Sequence, residues 1–148
     1  MKFKVNKGHI TRTKIIYDAE EGCFDSNILL NTDINILIAY LNIGIDSTDM
    51  EVKSIWGYNP EQQWVEKNLS IPYAEEGRVL LLDSYEAGLS YRLDRDKVWK
   101  SYIDKNTMWF CIGNTNIDRN DMSVKINENT IFVINGLGEL RAVFIHLI

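Results

Sequence analysis

Short runs of β-branched and aromatic residues recur along the chain, and residues with turn chemistry separate them. In the C-terminal third these runs cover residues 108–113, 122–126, 130–134 and 140–148, with Asn, Asp and Gly concentrated between them. Such runs are typical of β-strands that are joined by short loops. Because a parallel crossover needs a dozen or more residues, short loops favour antiparallel neighbours. The pattern predicts an antiparallel meander in this third of the chain.

The earlier part of the chain gives further strand signals and one helix signal. Strands are predicted at residues 2–5, 10–17, 50–57, 78–83 and 88–93. The first two of these would pair around a turn at Lys7 and Gly8. A short helix is predicted for residues 59–67, because Asn59 can cap it and Pro60 suits its first turn.

Residues 34–45 form the longest apolar stretch, and their pattern fits two structures. A helical face would contain Ile34, Leu37, Ile38 and Leu41. The stretch is nevertheless apolar on all sides, as in a buried central strand. We favour the strand, because residues 43–52 have the pattern of a hairpin. The chain is therefore predicted to be mainly β, with α+β as the alternative. We expect one domain over residues 1–148, an antiparallel sheet or sandwich with one or two short helices.

Composition agrees with a globular domain and indicates where it works. The 148 residues are 45% hydrophobic and 25% charged, close to the average for folded domains. The N-terminus is charged without an apolar segment, so no secretory signal is predicted, and no stretch is long enough for a membrane span. Cys23 and Cys111 are expected to be reduced thiols of a cytoplasmic protein. The alternative is a disulfide between them, which would close a long loop.

Charge is distributed very unevenly in the first third of the chain. The first fourteen residues hold five basic side chains and no acid, whereas residues 15–52 hold eight carboxylates and no lysine or arginine. These carboxylates are Asp18, Glu20, Glu21, Asp25, Asp33, Asp46, Asp49 and Glu51. One-signed surface steers charged partners. The net charge of −5 argues against a nucleic-acid binder, which needs a cationic surface to contact phosphates.

Catalytic and metal-binding signatures are not found in the sequence. The two histidines, His9 and His146, are expected to be an exposed loop residue and a strand residue. Neither cysteine has a second ligand at zinc-site spacing, so no metal and no cofactor are predicted. Paired carboxylates could serve a small hydrolase, which needs an acid and a base that flank the bond to be cut. The pairs are Glu20 with Glu21, Glu75 with Glu76, and Asp94 with Asp96.

Aromatic residues are concentrated in the middle of the chain, where they alternate with acids. All four tryptophans and five of the seven tyrosines lie between residues 56 and 109. Rigid aromatic side chains rimmed by charge are typical of protein interfaces, although solvated loops explain the same pattern. The predicted partner-binding residues are Trp56, Tyr58, Trp64, Tyr73, Glu75, Glu76, Asp83, Tyr85 and Glu86.

The features on which a resemblance to known proteins rests are the size, the acidic balance and the segments 56–64 and 109–113. In these respects the chain resembles the small acidic immunity proteins that bacteria encode beside secreted polymorphic or contact-dependent toxins. The resemblance implies a cytoplasmic protein that blocks a cognate toxin by covering its active site or a nearby surface. A toxin that cuts nucleic acid must bind phosphate and tends to be cationic, so a carboxylate-rich inhibitor would meet it faster.

The sequence therefore leaves three function classes open. The first is a module that binds a protein partner, with a cationic toxin domain as the expected partner and neither nucleic acid nor membrane involved. The second is a β-rich accessory or small-ligand-binding domain without catalysis, which a deep apolar cavity would favour. The third is a carboxylate-dependent hydrolase, which two carboxylates facing each other across a cleft would favour.

Overall fold

The computed structural model describes residues 1–93 and 97–147, and within them fourteen strands and one short 3₁₀ helix are formed. The 3₁₀ helix is Glu61–Gln63. The strands are β1 Phe3–Lys7, β2 Ile15–Asp18, β3 Cys23–Ser26, β4 Ile34–Ile38, β5 Leu41–Asp46, β6 Glu51–Tyr58, β7 Val65–Glu66, β8 Glu75–Leu81, β9 Ser90–Arg92, β10 Ser101–Asp104, β11 Trp109–Gly113, β12 Met122–Asn127, β13 Thr130–Ile134 and β14 Leu140–His146. The prediction of a mainly β fold is confirmed.

The strands belong to a single curled sheet. Eleven of them follow one another in the order β7-β10-β11-β14-β13-β12-β8-β6-β5-β4-β9. Beside this path, β1 pairs along β8, β3 pairs with β6, and β2 pairs with β3. Strand β8 joins the two halves of the sheet, since its first residues pair with β12 and Leu80 pairs with Glu51 of β6. Most pairs are antiparallel, and the parallel ones involve β7, β9 and the start of β8.

One hydrophobic core fills the inside of the curl. Side chains from the first half, such as Ile36 and Ile43, and from the second half, such as Phe132 and Val143, belong to the same buried cluster. In β4 and β5 every second residue is fully buried, as expected for strands with one face on a core. The two halves therefore stabilise each other through shared apolar contacts.

The outer side of the C-terminal strands carries a second, smaller apolar cluster. It contains Cys111, Ile131, Val133, Ala142 and Phe144, against which Leu69, Ile71 and Ala74 pack. The irregular segment 67–74 thus covers this side of the sheet. All five residues of β13 are buried, because the core lies on one side and this segment on the other. A central strand covered on both faces accounts for the unbroken apolar run at residues 130–134.

The predicted helix at residues 59–67 is wrong, since only Glu61–Gln63 are helical and β7 follows at once. Pro60 (φ −71°, ψ 136°) and Trp64 (φ −75°, ψ 139°) both have extended backbone and confine the helix to one turn. Asn59 is buried and does not cap: its amide donates to Ser101 Oγ at 2.9 Å and accepts from Trp64 Nε1 at 2.5 Å. These tertiary contacts engage the Asn59 side chain, which is therefore not available to cap a helix.

Two predicted strand pairings also differ from the structure. Strand β1 pairs with β8 and not with β2, because the intervening chain attaches to β12 and its turn, where Thr11 N–H donates to the Ile126 carbonyl. The C-terminal strands are antiparallel as predicted, but only β12, β13 and β14 form a meander. Strand β11 lies beside β14, which is Greek-key order. Strands β3, β7 and β10 were not predicted.

Residues 34–45 are extended, as we favoured, but they form two strands instead of one. The hairpin β4–β5 turns at Ala39 and Tyr40, and Ala39 has a φ of +54°. The hairpin predicted for residues 43–52 is confirmed as β5–β6, with Asp46 opposite Glu51. Of the other sequence expectations, Asp94, Asp96 and the last residue of the final predicted strand lie outside the described residues.

Among the residues that the structure describes, no helix has the length and apolar character that crossing a bilayer requires.

Candidate functional site

Strand β6 places two large aromatic side chains on the outside of the sheet. Successive side chains of a strand point to opposite faces, so Trp56 and Tyr58 point away from the core that Ile55 enters. Ile55 is 1% exposed, whereas Trp56 is 39% and Tyr58 51% exposed. Two of the predicted partner-binding residues therefore share one outer surface.

Trp56 lies over neighbouring strands and beside an exposed loop. Its Nε1–H donates to Oδ1 of Asn35 at 3.3 Å across β5. Together with Asp25 and Ser26 of β3 and residues 27–30 of the β3–β4 connection, Trp56 lines a groove of about 530 Å³. Leu29, in that connection, is 99% exposed. This end of the surface offers apolar side chains next to a carboxylate.

Tyr58 is joined on the same surface by Tyr40, which is 66% exposed in the β4–β5 turn. The β4–β5 turn lies close to the end of β6, because a Cβ added to Gly57 of β6 would be 2.8 Å from the Tyr40 carbonyl oxygen. Tyr40 and Tyr58 line a pocket of about 230 Å³ whose wall includes the buried Trp99. We call the exposed set Tyr40, Trp56 and Tyr58 the aromatic face.

An acidic turn borders the aromatic face. Cys23 pairs with Tyr58, and a Cβ on Gly22 would be 3.2 Å from the Tyr58 ring, so the turn before β3 lies against that ring. The Asp18 carboxylate accepts the N–H groups of Glu20 and Glu21, and Asp25 accepts that of Ser26. Among the residues described, no ion pair neutralises any of these four acids, which we call the acidic turn: Asp18, Glu20, Glu21 and Asp25.

The second acidic segment, residues 46–51, lies elsewhere and is largely neutralised. Lys53 pairs with Asp49 at 3.0 Å and with Glu51 at 3.4 Å, and Arg78 also pairs with Glu51. Burial opposes the charge on Lys53, but the hydrogen bond that Lys53 donates to Asp49 and the charge of Glu51 outweigh it and raise the pKa of Lys53. Glu51 and Tyr58 are the two ends of β6, about 23 Å apart. The acids of residues 15–52 therefore do not form one continuous face.

Trp64 occupies a different environment from Trp56 and Tyr58. It is partly buried and packs on the core, with ring centroids 4.8 Å from Tyr17 and 4.9 Å from Phe110. Tyr17 accepts the Glu61 N–H through its hydroxyl, and burial is the main cause that raises the pKa of Tyr17. Trp64 thus anchors the 3₁₀ helix onto the core next to the aromatic face.

Tyr73, Glu75 and Glu76 form a second location, away from β6's aromatic end. Tyr73 is 87% exposed at a groove between residues 67–73 and 115–123. Glu75 and Glu76 begin β8 and pair with β12, and Glu75 is 3.1 Å from Lys7 of the basic opening segment. The contact with Lys7 offsets part of the negative charge of Glu75 and Glu76.

Asp83, Tyr85 and Glu86 form a third location, in the connection from β8 to β9. Tyr85 packs edge-on against Tyr91 with centroids 4.7 Å apart, and both rings contact the core. Burial, followed by the charge of Asp83, raises the pKa of Tyr85. The Glu86 N–H donates to the Tyr91 hydroxyl at 3.0 Å. These contacts hold the loop against the edge of the sheet.

The groups that could support chemistry are separated in space. Within residues 1–93 and 97–147, no three His, Cys, Asp or Glu side chains are arranged to hold a metal ion. His146 stacks on Trp109, and its Nε2 lies 3.0 Å from the Thr107 carbonyl oxygen. Cys23 and Cys111 are free thiols, and burial raises the pKa of Cys111 to about 12.

Sequence reasoning missed Tyr40 and Trp99 as residues near this surface. A signal for Tyr40 was present: apolar residues alternate from Ile34 to Ile38 and again from Leu41 to Ile45, and the phase changes between them. Such a change marks a two-residue turn, whose side chains are exposed. Nothing in the sequence marks Trp99, since its place beside Tyr58 depends on how β7 and β10 pair.

Neither a protein-family model nor a curated protein matches this sequence.

Proposed function

We propose that the protein is a binding module that captures a cationic protein partner through the aromatic face and the acidic turn. The observation that carries the proposal is that the acidic turn, which makes no ion pair within the described residues, packs through Gly22 on the Tyr58 ring, and that Asp25 lines the same groove as Trp56. Aromatic side chains supply the contact area that slows dissociation. Carboxylates at the rim speed the encounter with a positive surface.

The resemblance to small acidic immunity proteins names the class of partner. In this proposal the partner is a toxin domain, and the protein neutralises it in the cytoplasm by covering its active site or a nearby surface. A toxin that acts on nucleic acid carries positive charge where it binds phosphate. The acidic turn matches such a surface in sign, whereas Asp49, Glu51 and Glu75 are already paired with Lys53, Arg78 and Lys7.

The proposal is tested by co-expressing the chain with the polypeptide encoded next to it. We expect the chain to restore growth and to co-purify with that polypeptide. The double variant W56A/Y58A should weaken binding at least tenfold, because truncating even one aromatic anchor of an interface costs about 2 kcal/mol. Its control is L137A, which removes another exposed side chain, in the β13–β14 turn, and β12 and β8 lie between β13 and β6. Absence of both rescue and co-purification would refute the proposal.

Charge reversal tests which acids steer the partner. E20K/E21K should slow association and reduce its dependence on salt, since the acids are exposed and screened by ions. The matched variant E75K/E76K reverses the same number of charges at the start of β8. If that variant slows association and E20K/E21K does not, the partner binds at the second location and the aromatic face is not the interface.

A further inference from the structure

The cover of the outer apolar cluster, segment 67–74, is held to the sheet by few backbone hydrogen bonds. The segment has no secondary structure, and two of its N–H groups donate to β10, that of Lys67 to a carbonyl and that of Leu69 to the Asp104 carboxylate, each at 3.0 Å. Among the described residues, the backbone N–H groups of residues 70–73 have no hydrogen-bond acceptor. Segments with so few bonds open at a lower free energy than paired strands do.

The side chains of segment 67–74 also make shallow contacts with the sheet. Three of them pack on the outer apolar cluster and are only partly buried: Leu69, Ile71 and Ala74. Along one side, a groove of about 640 Å³ lies between the segment and residues 115–123, and a single hydrogen bond of 2.7 Å from Lys67 Nζ to Thr115 Oγ1 joins the two sides. The segment therefore has open space beside it.

The strands beneath the segment do not need it for their own pairing. Strands β11, β14 and β13 are adjacent, and β14 pairs with each of its neighbours over five positions. Their inner side chains, such as Phe110 and Val143, belong to the main core on the other face of the sheet. Opening of the segment would thus expose the outer cluster, with Cys111 and Phe144, and leave both the strand pairing and the main core in place.

We infer that segment 67–74 is a strap that lifts from the sheet while the strands stay folded, and that it gates access to the apolar face of β11, β14 and β13. A continuous apolar surface of this kind is normally covered in a soluble protein or used for binding. In the closed state its occupant is the segment itself. The gated face lies on strands other than β6, so the inference does not depend on the proposed function.

The thiol of Cys111 reports the opening, because it is fully buried in the cluster on which the segment packs. In the variant C23S it is the single thiol of the chain. We expect the thiol reagent DTNB to label native C23S at least about tenfold faster than global unfolding allows, at a rate nearly independent of urea at low urea concentration. Local opening exposes little surface, whereas global unfolding exposes much more and depends steeply on urea.

Two further variants, made in C23S, separate local opening from global unfolding. L69A/I71A should speed the labelling at least about tenfold, because it removes the apolar contacts of the segment. I43V, in the main core on β5, should lower the urea midpoint and leave the labelling rate unchanged. L29A removes a fully exposed side chain in another loop and should change neither quantity.

The outcomes decide the inference without any partner. If I43V speeds the labelling by the factor that its loss of stability predicts, Cys111 is exposed only by global unfolding and the strap is refuted. An unchanged rate in L69A/I71A would also refute it, since the segment would not be what protects the thiol. Failure to capture a partner would count against the proposed function alone.

Discussion

Asp104, at the end of β10, joins two segments of backbone by accepting three N–H groups. Its carboxylate accepts the N–H groups of Leu69 and Asn106 at 3.0 Å each and that of Thr107 at 3.4 Å. The first of these bonds fixes segment 67–74, which covers the outer apolar cluster. The hydrogen bond from Leu69 is the largest cause that lowers the pKa of Asp104, with those from Asn106 and Thr107 adding to it. The Asp104 carboxylate thus links the turn between β10 and β11 to segment 67–74, which covers the outer side of the sheet.

We expect D104N to destabilise the protein at neutral pH, because an amide accepts these N–H groups less strongly than a charged carboxylate. A folded-state pKa below the unfolded value means that the stabilisation is present above the ordinary carboxyl pKa and is lost as the pH falls through the folded pKa. The difference from the unaltered protein should therefore shrink in acid.

Urea denaturation at neutral pH and below pH ~3 measures both effects of D104N. E128Q neutralises an exposed carboxylate and is the control. An unchanged denaturation midpoint for D104N at neutral pH would show that the three N–H groups need no charged acceptor.

At the scale of elements, the hairpins β4–β5 and β5–β6 build the aromatic face. Gly57 allows the β4–β5 turn to lie close to the end of β6, since a Cβ at this position would be 2.8 Å from the Tyr40 carbonyl oxygen. Gly57 has a φ of +123°, in a region that side chains with a Cβ rarely adopt. The backbone conformation at Gly57 therefore belongs to the part of β6 that presents Trp56 and Tyr58, the residues before and after it in the sequence.

We expect G57A to lower the free energy of unfolding by about 1–3 kcal/mol, since alanine would be strained at this φ and its Cβ would contact the Tyr40 carbonyl. G8A is the matched control, because Gly8 has no atom within 4 Å of an added Cβ and no left-handed φ. Chemical denaturation of both variants measures the difference. Equal stability of G57A and G8A would mean that β6 can relax there without loss.

The whole molecule depends on contacts between the two halves of the curled sheet. Phe110 of β11 is fully buried and packs on Phe24 of β3 with ring centroids 4.9 Å apart. The same ring contacts Trp64, which anchors the 3₁₀ helix beside the aromatic face. Strands distant in sequence are therefore joined by one aromatic cluster, and the binding surface is supported by the second half of the chain.

We expect F110A to cost about 3–5 kcal/mol, because it leaves a cavity between the two halves. Tryptophan fluorescence and far-UV circular dichroism should report the same unfolding transition in the unaltered protein, as for a single cooperative domain. L29A, at a fully exposed side chain, should change stability by less than about 0.5 kcal/mol. Two separated transitions would show that the halves fold independently and that Phe110 does not couple them.

Local pattern in the sequence was sufficient for the class of fold and for many of the strands. The alternation and β-branched runs at residues 109–113, 122–127, 130–134 and 140–146 mark strands because their side chains must fill both faces of a sheet. Two of the three residues of the aromatic face, Trp56 and Tyr58, were also predictable. Their exposure follows from alternation with Ile55 at the end of a strand.

Pairing and neighbourhood were decided only by the tertiary structure. The helix predicted for residues 59–67 does not form, because the Asn59 side chain bonds instead to Trp64 and to Ser101, which lies 42 residues away in the sequence. Nine predicted partner-binding residues divide among separate places, because strand pairing brings Tyr58 to the acidic turn and Glu75 to Lys7. Periodicity specifies which face of a strand a side chain occupies, but long-range pairing specifies which side chains become its neighbours.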